Sequence, residues 1–415
     1  MPPRARSARR FSPPSLEQLG RRDVPSVNPV GAEFLVNTST AGTQALATGV
    51  QGGTYGRHTV ASDAAGNHVV VWESAHSGAG SDVYGQRFNA LGAKVGGEFR
   101  INTTLAGDQA HASVAMDADG DFAVVWQNGS GINARLYNAA GAARTGELKV
   151  TGSGTFWLED IAMDADGDFV VAYQAPRNLS TKVVYAQRYN SLGVAQKKAI
   201  QVETHNIGNA QVNAAMDDDG DFLIASPSGI NRFDRLGNKL GVVANVGSNQ
   251  AVDMDGVGNF VVTWINGAAG FREARLYNAN GTPRGGSFVV DGTWGGQSSG
   301  VSMNAAGDFT IVWSDGSAAP DVQARAYAAS GAFLGGATAN PTTAGAQGNP
   351  SVAMAAGGEF VIVWEGNGPG DDAGVIGQRF GPSTAAASLP PSPLIFWTLS
   401  EKRDPHDVWA YGEGK

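Results

Sequence analysis

No cysteine occurs in the 415 residues. Disulfides, thiolate nucleophiles and cysteine-based zinc sites are therefore excluded. The compartment stays open, because a large core can dispense with disulfides. Charge is scarce too: Asp, Glu, Lys and Arg make up 16% of the chain. That argues against long salt-bridged helices and for short strands joined by tight turns. The net charge is -9, while residues 1–30 hold six Arg against Glu17 and Asp23. The rest is thus more acidic than the total, which argues against nucleic acid as the partner. No apolar run approaches the ~20 residues that span a bilayer. Residues 393–399 come nearest, and no membrane span is expected. G-x-S-x-G, P-loop and H-E-x-x-H motifs are also missing.

Glycine is abundant, at 58 residues, and much of it belongs to one recurring stretch. Its seven copies read SDAAGNHVVVW, MDADGDFAVVW, MDADGDFVVAY, MDDDGDFLIAS, MDGVGNFVVTW, MNAAGDFTIVW and MAAGGEFVIVW. The Gly never changes: Gly66, Gly120, Gly167, Gly220, Gly258, Gly307 and Gly358. The acids do change. Asp117 at the start of a type I turn accepts backbone N–H bonds, and Gly120 takes positive φ to align the flanking strands. The motif reads first as a hairpin device.

Around it a four-strand unit repeats. Strand A ends at the Met-Asp, strand B follows the turn, and strand C (VYGQRFN from Val83, VYAQRYN from Val184) precedes strand D (EFRINT at 98–103). Successive motifs lie 54, 47, 53, 38, 49 and 51 residues apart. Such periods mean a propeller or an array. The last unit has strands A to C and no D, whereas EFLVNT at 33–38 is a D strand with no unit. Pairing the two removes both unpaired edges. The expectation is all-β: a seven-bladed β-propeller over 31–382, closed by the N-terminal strand completing the last blade. Residues 1–30 are expected to be a disordered basic leader without the apolar segment of a standard signal peptide. Residues 383–415 are expected to be a Pro-rich non-repeat tail. Trp72, Trp126, Trp264, Trp313 and Trp364 end strand B and are expected between blades. Tyr173 and Ser226 replace Trp in units three and four, which predicts thinner interfaces there.

The three recurring pieces, in fixed order, resemble the repeats of large bacterial surface and exported proteins, with a VAMDADGDFVVVW…VYAQRYNAAG…GEFRVNT unit. The D-x-x-G-N/D turn is more distantly similar to NHL-type propellers. The resemblance implies a seven-bladed propeller and a role in adhesion, binding or display at the cell surface or outside the cell. It implies no known reaction. Asn304 and Ala355, in place of the turn Asp, depart from it.

Three turns carry three acids each: Asp117, Asp119 and Asp121; Asp164, Asp166 and Asp168; Asp217, Asp219 and Asp221. Calcium takes six to eight oxygens, so these are the candidate Ca2+ ligands. No unit has the twelve-residue loop with its distal Glu, and the later copies keep the Gly while losing acids. The turn is therefore expected to serve shape, with weak Ca2+ as the alternative. The D–A and B–C loops must occupy the other rim. Varied loops on a rigid scaffold are where binding resides. His111, Trp157, Glu159, Asp160, His205 and Trp294 are the candidate ligand residues there, with a recurring Gln (Gln109, Gln211, Gln250, Gln297, Gln347) beside them. A protein or glycan would be the partner. Glu73 and Glu365 end strands B and are expected as solvated rim groups. No carboxylate pair with hydrolase geometry is evident. The reading is a non-catalytic binding or display module, monomeric, with a carbohydrate-active enzyme or a structural spacer as alternatives.

Overall fold

The computed structural model describes residues 27–46, 58–75, 80–178, 180–206, 211–244, 247–267, 270–293 and 299–381. Most of the expected leader, the whole expected tail and Trp294 lie outside them. Among the described residues every regular element is a strand, and the strands form seven antiparallel sheets. Blade two is typical: Gln109–Met116, Phe122–Asn128, Gly131–Tyr137 and Leu148–Lys149 pair in that order. In blade one the inner strand is split, and both Gln44–Ala45 and Val60–Ser62 pair with His68–Ser74. The inner A strands touch one another in sequence and return from blade seven to blade one. The chain is a seven-bladed propeller with the A strands around its axis.

Closure is as the sequence implies. Asn28–Leu35 pairs with Asp371–Gly381 and supplies the outer strand of blade seven. It starts a few residues ahead of the expected boundary. A side-chain latch closes this seam and repeats at the next junction: Glu98 of blade one accepts the Thr38 N–H at 2.6 Å, and Glu147 of blade two accepts the Thr103 N–H at 2.5 Å. The Glu and Thr of the EFRINT piece are thus a latch between consecutive blades.

Seven apolar clusters fill the seven blade junctions. Strand alternation explains them. Val114 and Met116 face the preceding blade, while Ala115 faces the next. Within each blade the ring that opens strand B stacks on the ring that closes strand C, as in Phe122–Tyr137 at 4.8 Å and Phe360–Phe380 at 5.1 Å. Such cross-strand pairs contribute about 0.5–1.5 kcal/mol each beyond burial.

The turn works as expected and does one thing more. All seven glycines have φ between 85° and 92°. Asp117 Oδ1 accepts the N–H of Asp119 and Asp121 at 3.0 and 2.9 Å; Asp63, Asp164, Asp217 and Asp255 repeat this, and Asn304 does it with an amide oxygen. The other oxygen reaches the next blade. A Cβ on Gly167 would lie 3.1 Å from Asp117 Oδ2, and one on Gly258 would lie 2.9 Å from Asp217 Oδ2. Gly at this place thus serves two purposes: positive φ and room for the neighbouring carboxylate.

Several expectations need correction. Gln109 and Gln347 do not line a mouth: both are fully buried, and they accept the Trp126 and Trp364 indole N–H at 3.0 and 3.1 Å. Glu73 is not solvated, and Glu365 is only partly so. Glu73 is buried and takes the His111 N–H of the next blade, and Glu365 takes the Leu46 N–H at 3.0 Å. The junction before blade three is not thin, because Tyr173 meets Phe156 edge-on at 5.8 Å and stacks on Tyr185 at 5.5 Å, and these rings replace the Trp. Ser226 does make its corner polar, donating to Glu203 at 2.8 Å.

Removing residues 1–36 leaves the Asp371–Gly381 strand with a bare edge. The truncated chain is expected to melt lower and to self-associate with rising concentration in light scattering, since an open strand edge templates pairing. Unchanged melting and a strict monomer would count against this closure.

Candidate functional site

The inner strands enclose an axial cavity of about 240 Å³. Its walls are the strand A ends of all seven blades, and its lip is the ring of A–B turns from Ala64 to Ala356. The two residues before the turn set its character. Met116, Met163, Met216, Met254, Met303 and Met354 occupy one position in six blades, with Ser62 in the seventh. These are all the methionines after Met1. The preceding position holds Ala61, Ala115, Ala162, Ala215 and Ala353, but Asp253 in blade five and Ser302 in blade six.

Asp253 and Ser302 bridge neighbouring inner strands, which splay too far apart for a backbone ladder. Asp253 Oδ2 accepts the Met303 N–H at 2.7 Å, and its Oδ1 accepts the Met254 N–H at 2.9 Å. Ser302 Oγ accepts the Met354 N–H at 3.1 Å. Behind His58 of the cavity wall, Asp160 is fully buried. Its Oδ1 takes the Ser113 hydroxyl at 2.8 Å and pairs with His58 Nδ1 at 3.1 Å; its Oδ2 takes the Ala214 N–H at 2.9 Å. One carboxylate therefore links blades one to four.

Burial pulls the His58 pKa down, but the charge and hydrogen bond of Asp160, with help from Asp253, outweigh it and raise the pKa to about 9. Burial would raise Asp160, yet His58 and the N–H and O–H donors hold it below the ordinary carboxylate value. Asp253 is raised to about 6, mainly by burial, with His58 and its two N–H bonds opposing. It faces the cavity and so keeps some solvent contact, although protein surrounds it. At neutral pH the floor carries one cation and two anions.

The predicted ligand residues do not gather into one site. Asp160 is not on a rim but fully buried against His58 of the cavity wall. His111 occupies a kink of its strand with φ 58°. Trp157 stacks under the Lys182 ammonium at 4.3 Å, and Lys182 pairs in register with the buried His205. Glu159 belongs to the Trp157–Met163 strand. The well-walled cavity opens at the A–B turn end, opposite to the rim favoured from sequence. His58 and Asp253 were missed. Asp253 had a signal, as the one acid in the Ala position of A-M-D.

The acid turns have separate duties. The first acid caps its own turn, and the third reaches the C–D turn: Asp121 accepts the Ala139 N–H at 2.8 Å, Asp168 the Ser191 N–H at 2.9 Å and Asp221 the Arg235 N–H at 2.8 Å. Asp119, Asp166 and Asp219 are exposed. Among the described residues no three His, Asp or Glu side chains converge as a cation site. Burial raises Asp164 and Asp217 to about 6 against the pull of their own turn's N–H groups.

No family profile matches the chain, and no curated protein does. Among solved structures it is similar to a protein of unknown function from Dyadobacter fermentans, at TM-score 0.53 and 10% identity over 86% of this chain and 100% of that one. It is also similar to the polysaccharide lyase Uly1, at TM-score 0.48 and 11% identity over 85% and 100%, and to the Dos1 propeller, at TM-score 0.45 and 9% identity over 82% and 97%. Likeness at these identities shows the fold alone.

The pKa shifts set a pH dependence. His58 rises from 6.5 to about 9 on folding. Its contribution is complete below the unfolded value and is lost as pH climbs through the folded one. Asp253, raised from 3.8 to about 6, loses stability across that lower window, in the same direction. Unfolding free energy from urea titrations is expected to drop by about 2 kcal/mol between the ends of the His58 window. His58→Gln should flatten the upper arm and keep the lower one. Parallel curves for the two proteins would refute the assignment.

Proposed function

We propose that the chain is a non-catalytic binding and display propeller of an exported or cell-surface bacterial protein. Its axial cavity takes the cationic end of a ligand, either a basic side chain of a partner protein or a small amine. The observation that carries this is Asp253, a carboxylate in the cavity where five other blades place Ala. Two backbone N–H groups fix its orientation, and the remaining lone pairs are available to a donor from the lip. An ammonium or guanidinium meeting a carboxylate there forms a charge-assisted bond in a low-dielectric setting. The methionine ring suits such a guest, because thioethers adapt to the apolar stem behind the charge. The turn carboxylates around the lip add favourable potential.

Size supports a single side chain as guest. The cavity, about 240 Å³, is smaller than pockets that hold drug-sized ligands. The chemistry supports binding over turnover. Asp160 is neutralised by His58 and committed to Ser113 and Ala214. Of the other carboxylates lining the cavity, Asp63, Asp117, Asp164 and Asp255 are tied into their own turns and Asp218 is exposed at the lip, so Asp253 is the one inside it; glycoside hydrolysis needs two facing the substrate. The surface-repeat resemblance supports the placement outside the cell.

Calorimetry with N-acetyl-arginine amide and N-acetyl-lysine amide tests the site. Binding is expected to strengthen as pH rises through about 6 and Asp253 ionises. Asp253→Ala is expected to weaken it at least about tenfold and to raise the melting temperature at neutral pH by removing a buried charge. Equal affinity in the variant would remove the cavity from the account. Release of reducing ends from polysaccharides would replace the binding role with an enzymatic one.

A further inference from the structure

A second concavity lies away from the axis, between blades five and six. It measures about 530 Å³ and is walled by the end of Phe288–Asp291 on one side and the sheet of blade six on the other. Its side chains break the pattern kept by their counterparts in other blades.

Trp313 is one such departure. Trp72, Trp126 and Trp364 donate their indole N–H to a Gln of the same blade at 3.2, 3.0 and 3.1 Å. For Trp313 the corresponding Gln297 lies outside the described residues. Trp313 is only 3% exposed, and among the described residues its N–H is buried without an acceptor. Such a group costs about 1–3 kcal/mol, and costs of this kind are concentrated where a site is kept for more than stability. Arg325 is the second. Arg135 and Arg275, at the same place in strand C, donate Nε to the Thr145 and Gly285 carbonyls. Arg325 makes no bond to a carbonyl or carboxylate among the described residues. Its guanidinium is held between the Trp313 and Phe333 rings, 5.7 and 5.9 Å from their centres, with the Tyr327 hydroxyl as polar neighbour. Its N–H fork is left for a guest. Phe333 is the third: its side chain is 59% exposed at the edge of the groove.

Acceptors stand opposite these donors. Asp315 takes the Ser317 N–H and the Gln323 amide, and those bonds keep its pKa below the ordinary value although burial works the other way. Asp291 is bonded to Thr293 and lies in the field of Arg272. The groove is lined by Asp291, Asp315 and Arg325, with the Arg272 guanidinium beside Asp291 from behind the lining, so charges of both signs meet there. An anion would meet Asp315, and a cation would meet Arg325. A hydroxyl accepts from Arg325 and donates to Asp315 with equal ease. The C–H face of a sugar ring matches the exposed Phe333 ring, and the volume lies in the range of small-ligand pockets.

We propose that the groove between blades five and six is a binding site for a neutral saccharide of one or two rings. It is independent of the axial cavity in both position and chemistry. The test is a titration of the full chain with neutral oligosaccharides (cello-, malto-, xylo-, manno- and chito-oligosaccharides), followed by tryptophan fluorescence and calorimetry. At least one is expected to bind with a Kd below about 10 mM. Phe333→Ala, a change at an exposed position, is expected to weaken that binding at least about tenfold with an unshifted melting temperature. Arg325→Gln should weaken it as well, while Asp253→Ala should leave it unchanged. Saturation by none of the panel, binding confined to uronic or sulfated sugars, or full affinity in Phe333→Ala would each overturn the proposal.

Discussion

The structure depends on how one turn meets the next. Six of the seven blades present an Asp or Asn whose first oxygen ties off its own turn, and Ala355 stands there in the seventh. In five consecutive blades the second oxygen rests against the Gly of the following turn. A side chain on that Gly would strain its backbone and strike the neighbouring carboxylate, so turn and blade junction share one geometry. An Arg of strand C repeats the arrangement at the second turn. Arg87 donates to the Ala139 carbonyl of the next blade at 2.9 Å, and Arg379 closes the ring by donating to Leu91 at 2.7 Å. Polar contacts thus set the spacing of the blades, and the seven apolar clusters fill the space so defined.

That constraint explains what could be read from the chain. Periodicity, the unchanging Gly and the orphan EFLVNT strand specify seven blades and their closure, because each is a local or pairwise feature. The reason the acids persist was less visible. Asp117 looks like a metal ligand when its own turn is considered, and its second role appears only when Gly167 of another blade is set beside it. The recurring Gln misled for a similar reason: it sits near loop ends in sequence, yet its amide lies beneath an indole. His58 and Asp160 belong to blades one and three and meet across the narrow axis, a distance no repeat pattern encodes. Asp253 was legible as an acid in an Ala position, but the turn acids drew the attention instead.

The proposed functional surfaces fall where the repeat is broken. The turns with the full acid set are the most regular part of the ring, and the first and third carboxylates of each are occupied by backbone N–H groups. Asp253 breaks the A-M-D pattern at the axis. Trp313 and Arg325 break the Trp–Gln and Arg–carbonyl patterns at the groove. Rigid neighbours hold these side chains in place, so little ordering is required when a ligand arrives. On this account the propeller presents a charged socket at one end and a polar groove near its edge.

The shared geometry of turn and junction is tested most directly by a double-mutant cycle across one blade boundary. Asp217→Ala and Gly258→Ala each remove part of the joint where the approach is closest, 2.9 Å. Their stabilities, alone and together, are to be compared with the pair Asp217→Ala and Gly167→Ala, which do not touch. The account predicts a double mutant about 1 kcal/mol more stable than the sum of its parts at Gly258, and additivity within about 0.5 kcal/mol at Gly167. Additivity at both positions would contradict it.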